Sequence, residues 1–425
     1  MTTSPEPEAQ VSTFGALRSK DFRRFWIGFV ISVSGQQMLW MTEGWLIYEL
    51  SGSKLLLGAN GLAQAIPATL LTLFGGVMAD KLDQRRLLIL LQMLQMTVMG
   101  VMAALAITEV IQAWHVIAGA FVMSSLGAFE NPARQAMFPL LVERKAMTSA
   151  VSLNATIHPG TRVLGPVVGG FTLATVVGAT SSAMIAGGVV FTITAVGFLV
   201  YAGFLRTVHL PAVHRATGRN MLQNIRDGLA FVKANGVFAW LIGMAYFGMF
   251  FALSLSVLFP VFAKDILDVG PSGLGFMYTA MGVGSLAGAF SASSLASAFG
   301  PRKTMIGGGL VLGSFLLMFG LSTWYPLSLV FLALTGVGGS VYNVGIQSTM
   351  HMLVPNEFRG RVMGLWGMTH TSIRPMGEMQ FAGVAALVAA PFALALGGGI
   401  LLAFVVLVVA HNRHIKELRR SAERV

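Results

Sequence analysis

Cysteine is absent from the 425 residues, which excludes a disulfide framework, a thiolate metal site and a cysteine nucleophile. Charge is scarce too. Asp, Glu, Lys and Arg make up 11% of the chain, against roughly 25% in an ordinary soluble domain, too little to clothe a soluble core. There is no GxxxxGK[ST] loop, which argues against ATP-driven work by this chain, and no HExxH zinc signature. No Ser/His/Asp grouping stands in a soluble context, so no enzyme, metal or cofactor is implied. The opening residues, MTTSPEPEAQVSTFGALRSK, are polar and lack a short apolar run with a small-residue cleavage site. They read as a cytoplasmic tail, not a signal peptide.

What is abundant is apolar sequence. Hydrophobic residues make up 55% of the chain, with 50 Gly and 25 Met, a composition suited to helices packed closely in lipid around adaptable cavities. Runs of roughly 20 apolar residues can cross the hydrocarbon core. Twelve are expected, over 24–49, 55–79, 87–108, 114–138, 149–175, 181–205, 237–262, 271–297, 303–323, 327–351, 362–388 and 391–411. The fold class is thus an all-α polytopic membrane protein. Its parts are an N-terminal tail (1–23), a six-helix bundle (24–205), a linker (206–236), a second six-helix bundle (237–411) and a C-terminal tail (412–425). The linker carries Arg206, Arg215, Arg219, Arg226 and Lys233. Its second half spaces Leu222, Ile225, Leu229, Phe231 and Val232 as an interfacial helix would.

The net charge of +11 is explained by where the basic residues fall. Arg18, Lys20, Arg23, Arg24, Lys81, Arg85, Arg86, Arg144, Lys145, Arg302, Lys303, Arg359, Arg361 and both polar tails belong to one side, and only Lys54 and Lys264 to the other. The positive-inside rule makes the first side, with both termini, cytoplasmic. Nucleic acid is not an expected partner, since no basic-aromatic surface module is present. The expected partners are the lipid bilayer, a small-molecule substrate and protons, with the chain a monomer. Trp45, Tyr48, Trp114 and Trp324 fall near the outer ends, where an aromatic belt is expected.

The chain is internally repeated. GGVMADKLDQRR at 75–86 has a worn copy in SSLASAFGPRK at 293–303, and Leu57-Gly58 precede Arg85-Arg86 at the same interval as Leu274-Gly275 precede Arg302-Lys303. Aligning Gln135 with Gln347 also brings Val142 onto Val354, His158 onto His370 and Arg162 onto Arg374. Two halves in the same helix order are parallel repeats about an axis along the membrane normal, the arrangement of a secondary transporter.

Gly76-x-x-x-Asp80-Lys81-x-x-x-Arg85-Arg86 resembles the signature loop of the major facilitator superfamily, with Asp83 where that family usually has glycine. The resemblance implies that a glycine lets helices approach, Asp80 caps a neighbouring helix and the basic residues lock the cytoplasmic face. Gly165-Pro166-x-x-Gly169-Gly170 resembles the helix-bending motif of antiporters and exporters, with Thr161 and Ser152 in place of its upstream glycines. Met123 stands about where many proton-coupled exporters carry an arginine. Asn131-Pro132-Ala133-Arg134, Arg162-x-x-Gly165-Pro166 and Pro355-x-Glu357-x-Arg359-Gly360-Arg361 together resemble a bacterial branch of siderophore and macrolide exporters. The resemblance runs over 20–410 and implies a bacterial inner-membrane exporter with pseudo-symmetric halves.

A charge at the centre of a membrane helix costs on the order of 2.5–3.5 kcal/mol, so each intramembrane ionisable group calls for a reason. His158 and Arg162 share a helix face, as do His370 and Arg374. The resemblance implies that their helices flank the seam between halves, so both pairs would face a central cavity. There they bind an anionic or amphipathic substrate, or else the arginines tie helices together, Arg374 through Glu378. Gln36 and Gln37 are candidate cavity groups. Glu43 and Glu378 are the candidates for proton coupling, with an outer-gate hydrogen bond and neutralisation of Arg374 as the competing readings. Glu130 and Arg134, near the inner end of the fourth span, are expected in a conformational gate with Gly76, Asp80 and Arg85. The expected function is proton-driven efflux of a small amphipathic or anionic compound by alternating access. Uptake or facilitated diffusion on the same fold is the alternative, and a non-transporting sensor or lipid-handling protein a more distant one.

Overall fold

The computed structural model describes residues 15–209, 221–355 and 357–409. The expectations placed on the N-terminal tail before residue 15, on Arg215 and Arg219, and on the C-terminal tail from residue 410 lie outside them. The side chains of Asp80, Arg144, Leu222, Ile225 and Arg226 also lie outside the description.

Thirteen helices are described, and twelve of them are long. The first six are α1 (Lys20–Ser51), α2 (Lys54–Lys81), α3 (Gln84–Ile107), α4 (Ala113–Met137), α5 (Met147–Thr180) and α6 (Ala183–Arg206). The short α7 (Met221–Ala234) precedes α8 (Gly236–Ile266), α9 (Gly270–Phe299), α10 (Pro301–Leu321), α11 (Tyr325–Leu353), α12 (359–387) and α13 (Ala390–Phe404). Among the described residues nine helices are both long and apolar enough to cross a membrane. The three long ones left out are α1, α4 and α12, which carry Glu43, the Glu130/Arg134 pair and the Arg374/Glu378 pair. Their shortfall in hydropathy therefore reflects polar groups held inside the bundle.

Short polar residues start the helices. Ser19, Ser53 and Ser182 each accept a hydrogen bond from the backbone N–H three residues on, at 3.3, 3.4 and 3.3 Å. Asp83, the departure from the signature loop, does the same for α3, accepting from Arg86 N at 2.8 Å. A carboxylate at a helix N-terminus also meets the positive end of the helix dipole, which a glycine could not use.

Two helices are irregular, and they meet. In α8 a π-turn at Met249–Leu253 is followed by a 3-10 turn at Leu255–Leu258, and in α12 a π-turn spans Thr369–Ile373. Pro375 has no N–H and its ring would collide with the carbonyl four residues earlier; the wide turn just before it absorbs that conflict. Ser254 donates to the Arg374 carbonyl at 3.0 Å, and Gly377 lies against the Phe250 backbone. Ser254, at the break in α8, thus ties the two irregular segments together.

The apolar core is continuous across both halves at one end and split at the other. Trp45, Tyr48, Phe191, Phe259, Phe262, Phe319 and Phe381 belong to one cluster spanning the end away from the basic loops. Toward the basic loops, Phe22, Phe25, Leu88 and Tyr201 form a separate cluster in the first half, and Phe238, Tyr342 and Trp366 another in the second. Trp114 and Trp324 are exposed, as a belt requires, but Trp45 and Tyr48 are buried between the halves. Their expected place in the belt is corrected: the second half closes over that end of α1.

Helix α7 rests on α12, with Phe231 stacked on Phe358 at 4.2 Å between ring centroids and Gly228 against Arg361. Leu229 is exposed and Val232 buried.

Candidate functional site

The seam between the halves is sealed away from the basic loops. Tyr48 of α1 hydrogen-bonds Asp265, Glu49 pairs with Lys264 at 2.9 Å, and Lys54 donates to the Ala385 carbonyl at 3.2 Å. Deeper in, α5 crosses α9 with almost no side chain between them. A Cβ on Gly275 would come within 2.6 Å of the Pro166 carbonyl oxygen, and one on Gly170 within 3.0 Å of Gly275 Cα. Gly165 meets Gln37, and Gly169 meets Met38, both on α1. The Gly165-Pro166-x-x-Gly169-Gly170 motif is thus the close-packing surface on which α1, α5 and α9 converge. Nearer the basic end, cross-half contacts among the described residues include the Thr69–Ser372 hydrogen bond at 3.2 Å and the packing of Gly282 on Arg162. Beyond them Thr72, Ser152, Ala155, Gly364 and Phe290 are exposed, so the seam is open there.

Two cavities lie behind the seal. The larger, of about 380 Å³, is bounded by α1, α5 and the second half, and Gln37, Trp40, Arg162, His370 and Arg374 line it. Arg374 donates from Nε to Glu378 Oε1 at 2.9 Å, the i, i+4 pair that was one of the two readings. Glu378 lines neither cavity and lies against Gly61 of α2. Arg162 has no hydrogen-bonding or ion-pair acceptor among the described residues, and its charged neighbour is another cation, Arg374.

The smaller cavity, of about 210 Å³, lies inside the first half, with Gln36, Glu43, Gln64, Glu130, Arg134 and His158 on its wall. The two His/Arg pairs therefore do not face one space: His158 falls in the smaller cavity, apart from Arg162, His370 and Arg374. Arg162 and His158 lie four apart on a helix that borders both. Trp40 borders both cavities as well.

The gate residues are distributed differently from expectation. Arg85 donates to the carbonyl of Leu205 at 2.9 Å and to that of Arg206, capping the C-terminus of α6. Glu130 instead accepts from Gln95 at 2.8 Å, and Arg134 donates to Asn131 at 2.6 Å with its guanidinium 4.1 Å above the Phe29 ring. The glycine at the α2–α4 crossing is Gly75, where a Cβ would meet the Ala128 carbonyl oxygen at 2.2 Å, while Gly76 has open space around it. Trp40, Asn60, Gln64, Gln92 and Gln95 were not singled out from the sequence. The amides had a readable signal, being polar side chains inside apolar runs.

A family profile described as "Transmembrane secretion effector" matches residues 11–423. The multidrug efflux pump Tap of Mycolicibacterium fortuitum is 30% identical over 348 residues, covering 78% of this chain and 81% of that protein. Macrolide efflux protein A of Streptococcus pyogenes is 22% identical over 369 residues (84% and 87% covered). The enterobactin exporter EntS of Escherichia coli K12 is 26% identical over 358 residues (81% and 80% covered). Among solved structures, the nucleoside transporter NupG superposes with a TM-score of 0.71 at 14% identity, covering 93% of this chain and all of that one (100%). A bacterial homologue of the lysosomal transporter Spinster gives 0.72 at 12% identity (95% and 97% covered). These last two bear on the fold alone. The chain is a multi-pass membrane transporter, not an enzyme, and it belongs to the major facilitator superfamily, in its branch of efflux proteins.

Proposed function

We propose that this protein is a proton-driven exporter of a small anionic or amphipathic compound, working as a monomer in a bacterial inner membrane with both termini in the cytoplasm. With the basic loops inside, the conformation described is inward-facing: closed outside by the α5–α9 crossing and the Tyr48–Asp265 and Glu49–Lys264 contacts, open to the cytoplasm. The two halves, 24–205 and 237–411, rock about the central site. The observation that carries the substrate class is Arg162, a cation without an acceptor in a cavity it shares with Arg374 and His370. The planar guanidinium fork matches a bidentate acidic partner, and here the ligand brings it. Arg374, held in place by Glu378, supplies the second positive edge. Gln37 offers a neutral hydrogen-bonding group, while His158 and Gln36 face the other cavity.

Export, rather than uptake, is supported by the efflux relatives, which include exporters of a macrolide and of enterobactin. The test is accumulation of enterobactin, which carries acidic catechols, and of erythromycin in a host stripped of its own exporters, with and without a protonophore. Expression should lower enterobactin accumulation more than that of the cationic macrolide, and the effect should vanish when the gradient collapses. Export unaffected by the protonophore sinks the coupling, and preference for the macrolide sinks the anionic site.

A further inference from the structure

The smaller cavity holds Glu43 and Glu130, and neither is paired with a cation among the described residues. Glu43 is 3% exposed and accepts from the Gln64 amide at 3.4 Å, with Asn60 of α2 beside it. Glu130 is 4% exposed and accepts from Gln95 Nε2 at 2.8 Å. Arg134, one helical turn from Glu130, is turned onto Asn131 and the Phe29 ring instead.

The neighbours show what these acids lack. Buried oxygens without a partner stand beside both: Asn60 Oδ1 near Glu43, and Gln95 Oε1 on the amide that donates to Glu130. Gln92, one turn before Gln95 on α3, is fully buried with both amide atoms unpartnered, and the buried Tyr201 hydroxyl, close enough to Glu130 and Arg134 to feel their charge, is unpartnered as well. Gln92 Nε2 and Arg134 Nε are unpartnered donors, but an ionised carboxylate can only accept hydrogen bonds and leaves the oxygens of Asn60 and Gln95 unfilled. A neutral carboxyl donates from its O–H, so a proton on Glu130 has Gln95 Oε1 as acceptor, and one on Glu43 has Asn60 Oδ1. Leaving a buried acceptor empty is unfavourable, and protonation of the carboxyl group removes that penalty. Glu378 is the opposite case, since its carboxyl group accepts from the Arg374 guanidinium.

We propose that the smaller cavity is the proton compartment of the transporter, with Glu43 and Glu130 its two carrying groups, beside the substrate cavity and sharing Trp40 with it; this rests on the reading of the protein as proton-coupled. Glu43 lies toward the closed outer end of α1 and Glu130 toward the basic end of α4. In loading, a proton from water adds to a carboxylate oxygen, and the new O–H donates to the neighbouring amide oxygen. In unloading, it returns to water and the anion remains. The titratable and charged groups facing the pair are Arg134 from α4, His158 from α5 and Tyr201 from α6. The parts of α2 and α3 in contact offer only the amides Asn60, Gln64, Gln92 and Gln95, and the second half offers Thr371. Of the charged groups, Arg134 is the one able to displace a proton from Glu130, by swinging from Phe29 to the carboxylate. The proposal withdraws Glu378 from coupling and moves Glu130 from gate to proton carrier.

The test is infrared spectroscopy of the purified full-length protein at neutral pH, following the C=O stretch of neutral carboxyl groups, identified by its shift in D2O. Wild type should show the band, Glu43→Gln and Glu130→Gln should each lower it, and the double variant should lose it. Glu378→Gln should leave it intact. Glu130→Asp, which keeps a carboxyl, should displace the band without removing it, separating loss of the group from loss of the fold. A wild type without the band, or a double variant that retains it, overturns the proposal. A band lowered by only one of the two substitutions overturns the two-site arrangement. No transported compound enters this measurement, so its failure is distinct from failure of the efflux assay.

Discussion

The two cavities solve the same electrostatic problem in opposite ways. In the larger, positive charge outweighs negative: one arginine has an acid and the other has none. In the smaller, two acids are held by neutral amides while the nearest guanidinium is engaged elsewhere. Charge in a low-dielectric interior must be neutralised or moved onto a partner. An excess of cation calls for an anion from outside, and an unpaired acid calls for a proton. The difference assigns the two cavities to two cargoes, divided by Trp40.

Four substitutions break or sharpen that comparison. Arg374→Ala removes the paired cation of the larger cavity and should abolish export, a loss on the order of a hundredfold if about 1.5–3 kcal/mol of charge-assisted bonding disappears. The purified variant should still elute as folded protein, and full export by it in vesicles rules Arg374 out as a substrate group. Trp40→Ala should join the two compartments and let protons leak without substrate, read from an entrapped pH dye in vesicles. A tight variant would mean that Trp40 does not divide them. Gly275→Ala forces a Cβ within 2.6 Å of the Pro166 carbonyl oxygen. The helix gains propensity in every conformation, so that term cancels, and the overpacking of about 1–3 kcal/mol falls on the outward-closed state alone. Closure should shift by about tenfold or more, since about 1.4 kcal/mol is tenfold in an equilibrium constant. Single cysteines introduced at the outer gate report it by alkylation, with no native cysteine to remove. Lys264→Gln should matter least. Its bridge to Glu49 is partly exposed and such pairs contribute under about 1 kcal/mol, a few-fold change in the same alkylation rate.

Much of the scaffold was legible in the chain. The twelve long helices follow the expected order, and each named boundary shifts by only a few residues, since serine and aspartate caps mark the starts. The site was legible as a list of residues and not as an arrangement. The repeat placed His158 with Arg162 and His370 with Arg374, but the first pair lines two neighbouring cavities, since α5 borders both. Arg85 was expected with Glu130 and Arg134, yet the free carbonyls at the end of α6 claim it. Trp45 and Tyr48 carry the composition of a belt but are covered by the second half, which no local pattern reports.

The sequence by itself determined the membrane class, the helix order, the duplication and the small set of polar groups that lipid would not tolerate. Those follow from hydropathy, length and the distribution of lysine and arginine, which act locally along the chain. Tertiary structure decided which charges meet. Pairing depends on helix rotation and crossing to within an ångström, set by contacts such as Gly75 on Ala128 and Gly170 on Gly275 between residues far apart in the chain. The same eight intramembrane ionisable groups could have formed one mixed site. Packing at the seam instead placed Arg162, His370 and Arg374 on one cavity wall, Glu43, Glu130, Arg134 and His158 on another, and Glu378 on neither.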